Sequence, residues 1–291
     1  MGTIRIGISG WRYPSWRGVF YPRGLVQARE LEYAARLLPT IEINGSFYSL
    51  QRPASYAAWR DATPPGFVFA VKGNRFLTHM LKLNGIEKPL ANVLASGMFA
   101  LRDKLGPMLW QLPPQLRFDA AKLERFLALL PRDTGQALRL ARGHDDKLEG
   151  RALLEIDVVR PLRHAVEVRH ESFRCPEFIA LLRRHNVALV VADTAGKWPD
   201  FEDVTADFVY IRLHGEEELY ASGYEDDSLE RWAGKIRAWS TGGQPGDARL
   251  ASGEAPERLA GRDVYCYFDN DIRVRAPEDA LRLMALLGLE P

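Results

Sequence analysis

Apolar residues along this chain alternate between short runs of strand type and stripes of helical spacing. Ile4–Ile8, Ile41–Ile43, Phe67–Val71, Met108–Leu112, Ala165–Arg169, Val187–Ala192, Phe208–His214 and Val264–Phe268 have the length and the branched or aromatic content of strands. Between them, Leu31, Ala34, Ala35 and Leu38 fall on one helical face, as do Leu123, Phe126, Leu127 and Leu130, and later Leu229, Trp232, Ile236 and Trp239. Asp119 and Ser228 suit N-caps, Pro53, Pro176 and Pro277 suit first turns, and Gly288 suits a helix stop. A long connection runs from Arg75 to about Leu90, before a helix through Leu105. Residues 131–162 fit no clear element. Eight strands, nearly all followed by a helix, predict an α/β chain folded as a TIM (β/α)8 barrel with long βα loops, one domain over residues 1–291. An open doubly wound sheet is the competitor, but no glycine-rich nucleotide-binding fingerprint follows the first strand. The Gly-, Ala- and Pro-rich stretch 241–262 is expected to be a mobile loop.

Polar residues interrupt three of these strands in the same way. Side chains two apart on a strand share a face, so Glu167 and Arg169 point together, opposite Val166 and Val168. Glu42 with Asn44, and Arg212 with His214, repeat the arrangement. Strands covered on both faces normally read as unbroken apolar runs, and burying an unpaired charge is costly. In a barrel the C-terminal strand ends converge on one mouth, where active sites are built. Glu42, Asn44, Lys72, Gln111, Glu167, Arg169, Asp193, Arg212, His214, Asp269 and Asn270 are all expected to gather there.

Several longer motifs run through the same positions. Glu42-x-Asn44-x-Ser46-Phe47-Tyr48, Lys72-x-x-Arg75-Phe76-x-Thr78-His79, Lys104 through Pro114, Glu167-x-Arg169-His170-x-Ser172-Phe173 and Arg212-x-His214-Gly215 together resemble the YecE-like family. The resemblance extends from Ile4 to about Leu287. It implies a bacterial protein with a TIM-barrel fold, grouped as a domain of unknown function, and it implies no particular reaction. That family's last strand often ends Asn-Asn. Here Asp269 stands before Asn270, so an amide role does not carry over to Asp269.

The residues themselves point to an anion. Arg169 and Arg212 offer forked donors to a carboxylate or phosphate, and Lys72 adds a compact charge. Asn44, Gln111, Asn270 and Tyr48 complete the expected substrate-binding set. Glu42, Glu167, His214 and Asp269 are the candidate acids and bases. Lys72 also suits imine formation with a carbonyl. A divalent metal held by Glu167, Asp193, His214 and Asp269 is a further expectation, although Arg169 and Arg212 beside those carboxylates would repel a cation. No nucleotide-cofactor motif is present. The alternative that assigns no chemistry is a self-neutralised network that sets the barrel's register.

Charge and composition limit the partners. With 39 basic and 38 acidic residues the net charge is +1, so a nucleic-acid partner would need a local basic surface. The loop from Trp11 to Gly24 supplies one, interleaving Trp11, Tyr13, Trp16, Phe20 and Tyr21 with Arg12, Arg17 and Arg23, and Lys82 and Lys88 lie on the same rim. Nucleic-acid binding, nuclease-like in its strongest form, is therefore the second reading, although these aromatics suit packing of the loop at least as well. Trp59 and Trp110 read as core, and His144, His164 and His185 as surface. No apolar run approaches the length of a membrane span, and the two cysteines lack metal-ligand spacing. The expectation is a cytoplasmic protein with no membrane partner.

Overall fold

The computed structural model describes residues 1–290. Eight parallel strands close into a barrel in sequence order: β1 (Ile4–Ser9), β2 (Thr40–Ile43), β3 (Val68–Lys72), β4 (Leu105–Gln111), β5 (His164–Glu167), β6 (Ala188–Asp193), β7 (Phe208–Leu213) and β8 (Asp263–Phe268). Pairing of Ile4 to Ile8 with Val264 to Phe268 closes the ring and excludes the open sheet. Among the described residues, no helix is long and apolar enough to cross a membrane.

Strand alternation divides the core in two. Outward-facing Ile6, Ile8, Ile41, Phe69, Val71, Trp110, Val166, Val191, Ile211 and Cys266 pack under the helices. Each fully buried large side chain of this layer contributes roughly 1.5–3 kcal/mol. The inward-facing set is a separate cluster that includes Ala70, Leu109, Ala165, Ala188, Val190, Phe208, Tyr210 and Tyr267, filling the lower barrel as a packed plug. The strands therefore read as nearly continuous apolar runs until their last inward positions, where charge takes over.

Local details depart from expectation for identifiable reasons. Asp119 caps the helix Ala120–Leu129 through Lys122 N, as its sequence position implied. Ser228 does not cap: its helix begins at Asp226, and the Ser228 hydroxyl binds Glu216 instead. The last helix runs Arg275–Leu287 and stops at left-handed Gly288, with Pro277 as its third residue. The connection after β3 is structured, with a π-type turn at Phe76–Met80 and a helix at Glu87–Ala95 that ends well before Leu105. Residues 131–162 contribute the helix Thr134–Ala141, and the apolar patch near Leu153 forms no strand. His164 is fully buried, contrary to its surface reading. It faces outward from β5 under a helix layer, accepts from Trp110 Nε1 at 3.1 Å and lies 2.7 Å from the Pro131 carbonyl. The stretch 241–262 carries no helix or strand; the Arg262 guanidinium and Asp203 hold it through backbone contacts.

A cation-lined cavity over a neutralised charge cluster

At the C-terminal end of the barrel the inward side chains form one connected cluster around Arg212. Its Nη1 donates to Glu167 Oε2 at 2.7 Å, and its Nη2 donates to Asp269 Oδ2 at 2.7 Å and Glu42 Oε1 at 3.0 Å. Tyr210 donates to the other Glu42 oxygen at 2.6 Å, and Ser9 also binds Glu42. Arg169 donates from Nε to Glu167 Oε1 at 2.8 Å and from Nη2 to Gln111 Oε1 at 3.0 Å, while Trp198 stacks against its guanidinium at 3.8 Å. Glu167 and Arg169 thus share a face, as alternation on β5 requires, although the ladder ends at Glu167.

The cluster is close to electroneutral. Glu42, Glu167 and Asp269 face Arg212, Arg169 and Lys72. Burial pushes the Glu167 and Asp269 carboxyls up, but the guanidiniums of Arg169 and Arg212 around Glu167, and Arg212 and His214 beside Asp269, outweigh it and hold both well below the usual range. Burial and Arg212 push His214 down, so the imidazole is neutral; its Nδ1 lies 3.1 Å from Asp269 Oδ2 and its Nε2 lies 3.4 Å from Arg212 Nη1.

Two predicted members are elsewhere. On β6, Ala188, Val190 and Ala192 point inward, which sends Asp193 to the outer side, where it accepts from Ala195 N and lines a separate hollow with Glu216, Lys235 and Arg249. Asn270 likewise faces outward and donates to Asp279 Oδ2 at 2.8 Å and the Ser222 carbonyl at 2.9 Å. It clamps the last helix and does not line the mouth cavity. The four expected metal ligands do not meet in one place. Asp193 is absent from the mouth, Glu167 and Asp269 are spent on Arg212, and no group of three or more His, Cys, Asp or Glu side chains among the described residues has metal-holding geometry.

Above the cluster lies a cavity of about 880 Å³. Asn44, Tyr48, Lys72, Gln111, Arg169 and Asp269 line it, whereas Glu42, Glu167 and His214 lie beneath its floor. Four cations, Arg12, Lys72, Arg75 and Arg169, meet two carboxylates, Asp269 and Asp271. Burial, with Arg212 second, pushes the Lys72 ammonium down to about 8. Burial, with Asp269 second, pushes Asp271 up to about 6.

Sequence reasoning passed over several of these residues. Tyr220 lines the cavity, accepts from Arg169 Nη2 at 3.1 Å and stands edge-on to His214. Its φ of 65° is a left-handed conformation that a bulky residue rarely adopts, the kind of local strain found at functional sites. It lies in a loop without periodicity, so nothing in the sequence marked it. Asp271 was missed because it follows the strand by three residues. Gly10, with φ 81°, turns the chain after β1 so that Trp11, Arg12 and Tyr13 roof the mouth; a β-carbon there would meet the Tyr13 hydroxyl at 2.6 Å. The loop aromatics are mostly packed, Trp11, Trp16 and Tyr21 being buried, and Arg17 is held by Glu30 at 2.7 Å. Trp59 is not simply core: it lines the cavity edge-on to Trp11.

Comparison with known proteins agrees with this architecture. A DUF72 family protein from Thermotoga maritima MSB8 superposes with a TM-score of 0.72 at 22% identity, over 98% of this chain and 99% of that one. A DUF72 family protein from Enterococcus faecalis V583 gives a TM-score of 0.69 at 18% identity, over 99% and 97%. No curated protein matches the chain. The family model described as "Protein of unknown function DUF72" matches residues 5–291, and the chain belongs to that family.

Proposed function

We propose that the chain binds a small phosphate- or carboxylate-bearing molecule in the mouth cavity and acts on it by proton transfer. The observation that carries this reading is the charge imbalance of the cavity wall. The cluster beneath is self-neutralised, so Arg12 and Arg75, which make no ion pair among the described residues, are left to meet an incoming anion. Asn44, Gln111 and Tyr220 add neutral donors and acceptors, and Trp11, Phe47 and Trp59 exclude water. The motifs that resemble the YecE-like family support the assignment, since Asn44, Tyr48, Lys72, Arg75, His79, Gln111 and Arg169 all line this cavity. Lys72 and Asp271 are titratable groups on this wall, each with its ordinary ionisation moved toward neutral pH by burial. Glu42, Glu167 and His214 then position Arg169 and Arg212 rather than touch substrate.

Calorimetric titration with inorganic phosphate, glycerol 3-phosphate, lactate and short oligonucleotides tests the reading. Glycerol 3-phosphate or lactate is expected to bind and to lose affinity in Arg75→Ala. Binding of oligonucleotides alone, with the steep salt dependence of counterion release, would replace this reading with nucleic-acid recognition on the rim.

A further inference from the structure

We propose that Lys72 is an amine nucleophile that forms an imine with an aldehyde or ketone group on the bound anion; this step rests on the anion-binding reading of the cavity. Three poorly exposed lysines allow an internal comparison. Lys104 gives its Nζ to the Arg60 carbonyl at 2.6 Å, the Thr63 carbonyl at 2.6 Å and the Thr63 hydroxyl at 2.9 Å. Lys235 gives its Nζ to both Glu202 oxygens, at 2.7 and 2.8 Å. Both are structural lysines with their donors used. Lys72 Nζ has no hydrogen-bond acceptor and no carboxylate within ion-pair distance among the described residues, and its near neighbour is the face of Phe47 at 4.6 Å. It lines the cavity at the end of β3, and the nearby carboxylates are already taken by Arg212. An ammonium with no acceptor has no hydrogen bond to explain its burial.

The surroundings suit the reaction. Burial favours the uncharged amine, so a usable fraction carries a free lone pair near neutral pH. That lone pair bonds to the carbonyl carbon as the C=O π pair moves to oxygen. The ammonium first gives one proton to water in the cavity to free that pair. After attack the oxygen takes one hydrogen from the nitrogen and one proton back from water and leaves as water, and the last hydrogen stays on the iminium nitrogen. Nothing is oxidised or reduced. The iminium keeps the single positive charge of Lys72, so the match to Glu42, Glu167 and Asp269 survives the step. Arg12 and Arg75 on the same wall remain free for the phosphate or carboxylate of the substrate.

The test is reductive trapping on the full chain. Protein is incubated with glyceraldehyde 3-phosphate or pyruvate and sodium cyanoborohydride, and the adduct on each lysine is quantified by peptide mass spectrometry. Glycerol 3-phosphate and lactate, anions without the carbonyl, are titrated in parallel. Lys72 is expected to be labelled at least tenfold more than exposed Lys82, with protection by excess glycerol 3-phosphate and no adduct at this position in Lys72→Met. Lys72→Arg, which keeps the charge, serves if the methionine variant does not fold, and should bind glycerol 3-phosphate without being trapped. Binding of the carbonyl-free anions with Lys72 labelled no more than Lys82 overturns the imine step alone. Absence of both binding and selective labelling overturns the anion reading as well.

Discussion

Arg212 donates to Glu167 at 2.7 Å with both side chains closed off from solvent, and the same guanidinium also serves Glu42 and Asp269. One cation thus organises three acids. Removing a member of a buried ion cluster leaves partners uncompensated, which costs about 3–5 kcal/mol. Arg212→Met is expected to lose stability of that order in denaturant unfolding, and Glu167→Gln, which keeps the shape, to lose less. A loss below about 1 kcal/mol for Arg212→Met would mean that Arg169 and Lys72 suffice to neutralise the acids.

Acid should dissolve the same cluster. Glu167 and Asp269 ionise in the folded chain well below the carboxylate range, because the guanidiniums outweigh the effect of burial. As pH falls the unfolded chain takes up protons first. The stability these groups supply is whole above the unfolded carboxylate range near about 4 and is lost as pH drops through it toward the folded values. Asp271 and Asp279, both pushed up to about 6 mainly by burial, act with the opposite sign, favouring the fold more at pH 5 than at pH 7. Unfolding midpoints between pH 3 and 7 should show a steeper acid loss in wild type than in Glu167→Gln/Asp269→Asn. Equal slopes would place the acid-labile charge elsewhere.

Lys72 should weaken the fold it sits in. Its ammonium ionises at about 8 against an ordinary value of 10.5, with burial as the main cause, Arg212 adding repulsion, and Glu42, Asp269 and Glu167 offsetting part of both. The folded chain therefore carries a penalty on the order of 3 kcal/mol below pH 8, which fades as pH rises toward the unfolded value. Lys72→Met is expected to be more stable than wild type at pH 7 by about 1–3 kcal/mol, and the gain to shrink by pH 10. A site held at the expense of stability has this signature. A methionine variant that is less stable at pH 7 would instead assign Lys72 a structural role.

Much of this was legible in the chain. Eight strands, the order Glu42, Lys72, Gln111, Glu167, Arg169, Arg212, Asp269 around one mouth, and the apolar stripes of the helices follow from periods of 2 and 3.6. Asp193, the last residue of β6, and Asn270, two residues past the end of β8, face outward by the alternation of their own strands. Ala188, Val190 and Ala192 are small enough for the barrel interior, and that size pattern was the available signal. His164 was misread because a polar residue at a strand start looks exposed until a covering layer supplies partners, here Trp110 and Pro131. Tyr220 and Asp271 sit on loops whose conformation no periodicity encodes. The difference between a cavity wall and its floor was equally invisible. Glu42 and Lys72 have the same strand-end signature, yet only Lys72 reaches open space.

Rim arginines should set affinity without setting stability. Arg12 and Arg75 line the cavity, are exposed, and make no ion pair among the described residues. A charge-assisted hydrogen bond to an anion contributes about 1.5–3 kcal/mol, so Arg75→Ala and Arg12→Ala are each expected to weaken glycerol 3-phosphate binding about tenfold or more. The unfolding midpoint of the ligand-free protein should stay at the wild-type value. Calorimetry reads the first quantity and denaturant titration the second. Unchanged affinity in both variants would move the anion deeper, onto Arg169 and Lys72.

Asp271 and Asp193 separate the mouth cavity from its neighbour by sign. Asp271 lines the cavity and opposes an incoming anion once ionised, whereas Asp193 lies on the outer side of the barrel in a different hollow. With its carboxyl pushed up to about 6 by burial and then by Asp269, Asp271 is mostly charged at pH 7 and mostly neutral at pH 5. Asp271→Asn should therefore tighten glycerol 3-phosphate binding a few-fold at pH 7, an effect of roughly 1 kcal/mol for charges a few ångströms apart in partly wet protein. The gain should largely vanish at pH 5, where wild type has already lost the repulsion. Asp193→Asn should leave affinity unchanged at both pH values. If Asp193→Asn shifts binding and Asp271→Asn does not, the anion occupies the outer hollow beside Lys235 and Arg249.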